Sequence, residues 1–297
     1  MSEEVRLIIV SGLSGSGKSV ALHVLEDIGY YCIDNLPVAL LKSLLNELAN
    51  GGDAPIGRIA VSVDARNPHR DIDSLPEVIE ELRLTGVRTD VLFLQTKDDV
   101  LLTRYSESRR RHPLASNGKE LRSAIAYERQ LLSQILNVAD LVIDTTNSSV
   151  YELGDTIRER VDRRHTNVLS VLVESFGFKH GIPADADFVF DLRCLPNPYW
   201  QPELRALTGL DEPVATFLDA DELFRNMYED ILDFLIRWIP RYVSFDRGYL
   251  TIAIGCTGGQ HRSVYMTEKL VEALKTKHDS VAIRHSELSV RTTVSTQ

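Results

Sequence analysis

The sequence predicts an α/β protein built from parallel sheets in two successive domains, and three observations carry that prediction. Short apolar runs ending near Asp, Gly or Asn alternate with helical-looking segments along the first half. The glycine-rich stretch GLSGSGKS at 12–19 stands between the first such run and a helix. A second glycine-rich turn, GCTGGQHRS at 255–263, stands between a strand and a helix near the other end.

The runs VRLIIV, RIAVSVD, DVLFLQ and DLVIDT are short and nearly continuous in apolar residues, as strands covered on both faces by helices must be. After the first, VALHVLEDIG places Val20, Val24, Leu25 and Ile28 at helical spacing and closes on Gly29. Asn35 and Pro37 suit the cap and first turn of the next helix. After DLVIDT comes a helix-like YELGDTIRERVDRRH, whose charge-dense end at 158–165 is the candidate boundary. It divides the chain into a domain at 1–163 and a smaller one at 166–297. The second domain opens with the strands VLSVLVESF, DFVFDLR and YLTIAIG, the last leading into the 255–263 turn and the helix SVYMTEKLVEALK. There is no repeat of 20–50 residues, and the final SVRTTVSTQ reads as a loose tail.

A chain of 297 residues, 43% hydrophobic and 26% charged, has the composition of soluble globular proteins long enough for two cores. The three cysteines, Cys32, Cys194 and Cys256, are odd in number and far apart, which argues against a disulfide framework and for a reducing compartment. No export signal and no apolar run long enough to span a membrane is visible, so a cytoplasmic location is expected. The net charge of −10 argues against a protein that coats nucleic acid through its overall field, and any RNA contact is expected to be local.

In 12–19 the spacing G-x-x-x-x-G-K-S is that of a P-loop. Gly12, Gly15 and Gly17 let the chain curl, so that the backbone N–H groups of a loop also containing Leu13, Ser14 and Ser16 converge on phosphate oxygens at a helix N-terminus. Lys18 would neutralise phosphate charge, and Ser19 would hold Mg²⁺ through its hydroxyl. A Mg²⁺ site also needs a carboxylate at the end of a neighbouring strand. Asp34, Asp64 and Asp144 are candidates, Asp64 first because an almost wholly apolar run precedes it and it opens the turn Asp64, Ala65, Arg66, Asn67. In TRYSESRRRHPL a helix starting after Asp98 would put Arg104, Ser108 and Arg111 on one face, with Arg109 and Arg110 alongside, as a basic lid over transferring phosphate or as a solvated face.

In the second domain Cys256 and Arg262 are separated by five residues and followed by Ser263, the spacing of thiol-phosphatase phosphate loops. No assured general acid accompanies them, so an anion pocket without catalysis is the favoured reading. The segment ESFGFKHGIPADADFVFDLRCLPNPYW would bring Lys179, His180, Asp191, Arg193 and Asn197 beside that loop.

Together SGLSGSGKSVALHVLEDIGYYCIDNLP, DARN, RYSESRRRHPL, ADLVIDT, ESFGFKHGIPADADFVFDLRCLPNPYW and AIGCTGGQHRSVY make the chain resemble, nearly end to end, the RapZ/YvcJ family of P-loop proteins. The resemblance implies a P-loop kinase-like N-terminal domain that binds ATP at Gly12 through Ser19, with a GTP-associated segment at Asp64 to Asn67. It implies weak ATPase and GTPase activities using Mg²⁺, with Lys18 and Asp64 as the catalytic pair and Ser19 and Asp64 as metal ligands. It further implies a C-terminal ligand pocket formed by Asp191, Cys256, Thr257, Gly258, Gly259, His261, Arg262 and Ser263. In the adapter branch of the family that domain contacts small RNA and senses an amino-sugar phosphate.

This chain departs from the adapter branch in its ending, SELSVRTTVSTQ, where that branch carries a cluster of lysines and arginines, and at Tyr199, where it carries histidine. The chain therefore looks more like the nucleotide-binding branch. A homo-oligomeric regulator with slow hydrolysis and a phosphometabolite pocket is expected, with a small-molecule kinase and an RNA-binding adapter as alternatives.

Overall fold

The structure, a computed structural model, describes residues 5–50, 56–108, 111–115, 120–162, 169–244 and 247–288. Two compact units divide the chain, Met1–Asp162 and Arg163–Gln297.

The first unit begins with β1 (Arg6–Gly12), α1 (Lys18–Asp27), β2 (Tyr31–Ile33), α2 (Leu41–Asn50) and β3 (Arg58–Ser62). It continues through α3 (His69–Leu84), β4 (Arg88–Gln95), α4 (Asp98–Ser108), α5 (Leu121–Leu131), α6 (Ser133–Asn137), β5 (Leu141–Asp144) and α7 (Val150–Ile157). The five strands pair in the order β2-β3-β1-β4-β5, all parallel. All seven residues of β1 are buried because it is the central strand, bonded to β3 on one side and β4 on the other, with helices on the faces. Leu7 and Ile9 of β1, Val61 of β3 and Val91 of β4 pack against Ile72, Leu75 and Ile79 of α3 to form the main core. Pro37 precedes a 3₁₀ turn, Val38–Leu40, that leads into α2, so the expected cap sits one turn before the α-helix proper.

The strand order reverses direction at β1, with β3 and β4 leaving to opposite sides. A crevice opens at the carboxyl end of a sheet at such a switch point, and it is there that the 12–19 loop leaves β1. Gly12 is indispensable to that exit: its φ is +138°, and a Cβ there would lie 2.1 Å from the Leu94 carbonyl oxygen of β4. Gly17 caps α1 with a left-handed φ of +107°.

The second unit contains β6 (Ser170–Gly177), β7 (Phe188–Asp191), α8 (Glu212–Asp219), α9 (Glu222–Ser244), β8 (Tyr249–Cys256), α10 (Arg262–Lys275) and β9 (Val281–His285). Its strands run parallel in the order β7-β8-β6-β9. Every residue of β6 and β8, the inner strands, is buried. Val171, Val173, Ile252 and Ile254 share a core with Leu235 of α9 and Leu270 of α10. The sequence suggested three strands here. The fourth, β9, mixes Arg284 and His285 into a five-residue edge strand and lacks the apolar run that marked the others. The end of the 158–165 segment and the final SVRTTVSTQ lie outside the described residues.

Candidate functional site

The carboxyl end of the first sheet holds a cleft of about 670 Å³, walled among others by Lys18, Ser19, Asp34, Asp64, Arg66 and Arg111. Lys18 opens α1 and folds its ammonium back over its own loop, donating to the carbonyls of Gly12 at 2.6 Å and Leu13 at 3.1 Å. Burial pushes that ammonium below its ordinary pKa, against the pull of Glu128 and Asp64. Ser19, one residue on, is exposed. Not every residue of the loop faces outward. Leu13 packs with Leu101 and Ile125, and its N–H donates to the Leu94 carbonyl at 3.1 Å. The Ser16 N–H is likewise turned to the Leu13 carbonyl at 3.0 Å.

Of the three carboxylates offered by the sequence, two reach the cleft. Asp34 follows β2 and Asp64 follows β3, the strand beside β1. Asp144 ends β5, separated from β1 by β4, and accepts the Thr146 N–H at 2.8 Å in its own turn. Asp64 is buried, and its two oxygens accept from Arg66 Nη2 at 2.6 Å, from Nε at 3.0 Å and from the Arg66 N–H at 2.9 Å. Burial pushes its carboxyl up, and the bonds from Arg66 with the charge of Lys18 outweigh that, leaving it below the usual carboxylate range. Asp34 accepts the Ser62 hydroxyl at 2.6 Å and is otherwise open. The 64–67 segment therefore divides: Asp64 and Arg66 line the cleft, whereas Ala65 is buried and Asn67 accepts the Val38 N–H at 3.1 Å.

The basic segment after β4 brings Arg104, Ser108 and Arg111 to the wall of the same cleft, and Arg104 also braces the loop, donating to the Gly15 carbonyl at 3.0 Å and the Thr145 carbonyl at 2.7 Å. The helix ends at Ser108, so Arg111 reaches the cleft from beyond it and not along a continued helical face. Arg109 and Arg110 lie outside the described residues.

One residue escaped sequence reasoning altogether. Glu128 of α5 is fully enclosed and accepts the Ser14 N–H at 2.9 Å and the Ser14 hydroxyl at 2.6 Å, fixing the P-loop from beneath. A signal was present: with Ala124, Ile125 and Leu132 it occupies the apolar face of an amphipathic helix, where an unpaired charge is costly.

In the second unit Cys256 closes β8 and is buried. Its sulfur accepts the Gly259 N–H at 3.2 Å and lies 3.1 Å from the Ser263 hydroxyl. Burial pushes the thiol up, but these bonds and the Arg262 charge outweigh it, so its pKa lies below the ordinary value. Arg262 turns one arm of its guanidinium, Nη1, to the protein's own backbone, while Nη2 stays at the 255–263 loop, 3.4 Å from the Thr257 hydroxyl. The residue is 3% exposed, and Nη1 donates to the carbonyls of Leu192 at 3.2 Å, Arg193 at 3.2 Å and Leu195 at 2.7 Å. The arginine ties down the 192–195 loop: the Leu192 carbonyl also accepts the Leu195 N–H at 3.2 Å, but the buried Leu195 carbonyl would otherwise lack a donor.

His261 is buried against the Leu204 carbonyl at 3.2 Å, leaving Thr257 exposed and Gly258 half-buried at the loop's tip. Asp191 is engaged by Arg193 at 2.7 Å, His180 by Glu287 at 3.0 Å, and Asn197 accepts the Tyr199 N–H at 3.3 Å. Among the described residues no group of three or more His, Cys, Asp or Glu is placed to hold a metal ion, and no helix is long and apolar enough to cross a membrane.

A parallel sheet of order 2-3-1-4-5, with a G-x-x-x-x-G-K-S loop leaving its central strand at the switch point, defines an α/β protein of the P-loop kinase-like class. Within that class the chain belongs to the RapZ family: residues 5–165 match the RapZ-like N-terminal domain and residues 169–289 the RapZ C-terminal domain. It is 55% identical over 287 residues to a protein of Halorhodospira halophila named as a nucleotide-binding protein, with 96% of this chain and 99% of the relative covered. Relatives of the same name from Pseudomonas fluorescens and Hahella chejuensis are 52% and 48% identical, each over 96% of this chain and 100% of its own length.

Proposed function

We propose that the chain is a regulatory nucleotide-binding protein whose N-terminal domain, 1–163, binds ATP and GTP in the cleft above β1 and hydrolyses them slowly. The observation that carries this is the meeting of Lys18, Ser19, Asp34 and Asp64 at the mouth of one cleft. The N–H groups of Gly15, Gly17, Lys18 and Ser19 surround the start of α1 and would receive β- and γ-phosphate oxygens. Lys18, freed from the Gly12 and Leu13 carbonyls, would neutralise their charge. An exposed serine hydroxyl beside two carboxylates is an all-oxygen donor set that fits Mg²⁺, with Ser19 and Asp64 as ligands and Asp34 beside them. When bound, the ion would offset phosphate charge. Asp64 is already bonded through both oxygens to Arg66, which supports slow turnover because that carboxylate is not free to take a proton from water.

The C-terminal domain, 166–297, is read as an anion or phosphometabolite sensor. With Nη1 of Arg262 committed, the grip on an anion would come from its Nη2, Thr257, Gly258 and the start of α10. Thermal unfolding of the full chain with ATP, GTP and Mg²⁺, beside phosphate-release assays, tests the nucleotide reading. Stabilisation by either nucleotide in wild type and its loss in Lys18→Ala are expected. Equal stabilisation and equal phosphate release in that variant would overturn it.

A further inference from the structure

The side chains of Glu128 and His112 are both fully enclosed, with Oε2 and Nε2 3.0 Å apart. The same carboxylate accepts the Ser14 N–H at 2.9 Å through Oε2 and the Ser14 hydroxyl at 2.6 Å through Oε1. His112 Nδ1 accepts the Leu114 N–H at 3.1 Å, so the proton of the neutral ring sits on Nε2 and is aimed at Glu128. Three donors from two distant segments thus converge on one carboxylate. Ser14 belongs to the P-loop, and His112 lies between Arg111 and Pro113, both of which wall the cleft.

We propose that Glu128 is a positioning residue for the nucleotide, coupling the P-loop to the Arg111–Pro113 wall so that both meet the phosphates in one fixed geometry. The inference rests on the nucleotide reading above and deepens it. A requirement for packing alone would be met by an apolar side chain, since Leu13, Leu101 and Ile125 already form a small core there. A buried carboxylate carries a desolvation cost that such a residue avoids, and what it adds is a bond to each wall. His112 and Ser14 are not bonded to each other; Glu128 holds both by hydrogen bonds, and Tyr105 adds a packing contact, its ring 5.3 Å from that of His112 and its hydroxyl bonded to Ser14.

The test is titration calorimetry of ATP–Mg²⁺ into the full-length protein and its variants, with nucleotide-free melting recorded in parallel. Glu128→Leu and His112→Ala are each expected to weaken ATP binding at least about threefold, and the double variant to be no worse than Glu128→Leu alone. Glu128→Gln is expected to recover affinity. Its amide oxygen can accept both the Ser14 and His112 N–H groups, while its amide nitrogen donates to a rotated Ser14 hydroxyl. Melting temperatures that fall while ATP affinity stays at the wild-type value would make Glu128 merely structural and overturn the proposal. Additive losses in the double variant would overturn it equally.

If Glu128→Leu does not fold, the Ser14→Ala and His112→Ala pair replaces it. The proposal then requires a double-variant loss smaller than the product of the single losses, and a loss equal to that product overturns it. A wild-type protein that binds neither ATP nor GTP fails the nucleotide reading itself, an outcome separate from these.

Discussion

Arg66 closes on Asp64 as a fork: Nη2 lies 2.6 Å from Oδ2, and Nε is 3.0 Å from each carboxylate oxygen. The pair lines the cleft, and the same Nη2 stands 3.7 Å from Asp34, so one guanidinium counters both carboxylates that share the cleft with Ser19. Arg66→Ala is therefore expected to bare two negative groups and increase the stabilisation given by magnesium chloride in the absence of nucleotide. Melting curves across a magnesium titration check this, and identical shifts in variant and wild type would separate Arg66 from any metal role.

Lys18→Ala removes a half-buried ammonium that bonds only to loop carbonyls. Nucleotide-dependent stabilisation and phosphate release should vanish while the nucleotide-free melting temperature moves little. Far-UV dichroism with phosphate-release kinetics distinguishes this from unfolding.

Arg262→Ala strips donors from three carbonyls in the 192–195 loop, two of them in fully buried contacts. A loss of about 3 kcal/mol in chemical denaturation is expected, because a charged donor is removed and the buried Leu195 carbonyl is left unmet. Arg262→Lys should recover part of it, since all three carbonyls are met by the single nitrogen Nη1 and an ammonium carries three donors. Cys256→Ser should stay near wild type, as its hydroxyl can keep both the Gly259 and Ser263 bonds.

Glu128 predicts the acid limb. Burial raises its pKa, and the bonds from His112 and Ser14 with the Lys18 charge bring it below the ordinary 4.5. A carboxyl depressed on folding contributes stability that is fully present above its unfolded value and lost as pH falls through the folded one. Stability should thus decline below about pH 4.5, and Glu128→Gln should flatten that decline. Melting temperatures from pH 3 to 7 measure it.

The three thiols should react in a fixed order. Cys194 is exposed, Cys32 is half-buried with its thiol pushed up to about 11 by burial, and Cys256 is enclosed. Iodoacetamide labelling followed by mass spectrometry should find Cys194 modified first and Cys256 last. The low pKa of Cys256 does not help a reagent that cannot reach it.

The order of these thiols also shows what a sequence conceals. Spacing placed Cys256 and Arg262 in one loop, but whether a guanidinium faces a ligand or a neighbouring backbone depends on which segment packs over it. Here that is a loop some seventy residues earlier in the chain. The alternation of apolar runs and the G-x-x-x-x-G-K-S spacing were legible because both are local patterns, and they led to the parallel sheets and the cleft-forming loop. Strand order was not local, so Asp64 could be put first among Asp34, Asp64 and Asp144 only on the run before it, and Asp144 is set apart by β4, which stands between its strand and the P-loop strand. Glu128 reaches Ser14 across 114 positions, a relationship no spacing rule encodes.

That separation bears on how the protein is made. Both sheets are wholly parallel, so no strand can pair with the next by a simple hairpin, and each pairing waits for a crossover to be completed. The loop at 12–19 is made with β1, yet β1 gains its neighbours only when 58–62 and 88–95 have followed. Its floor arrives later still, with α5. During synthesis the P-loop is therefore made well before the strands and the helix that shape it, and a nascent chain stopped before residue 128 would expose an unformed loop beside bare strand edges.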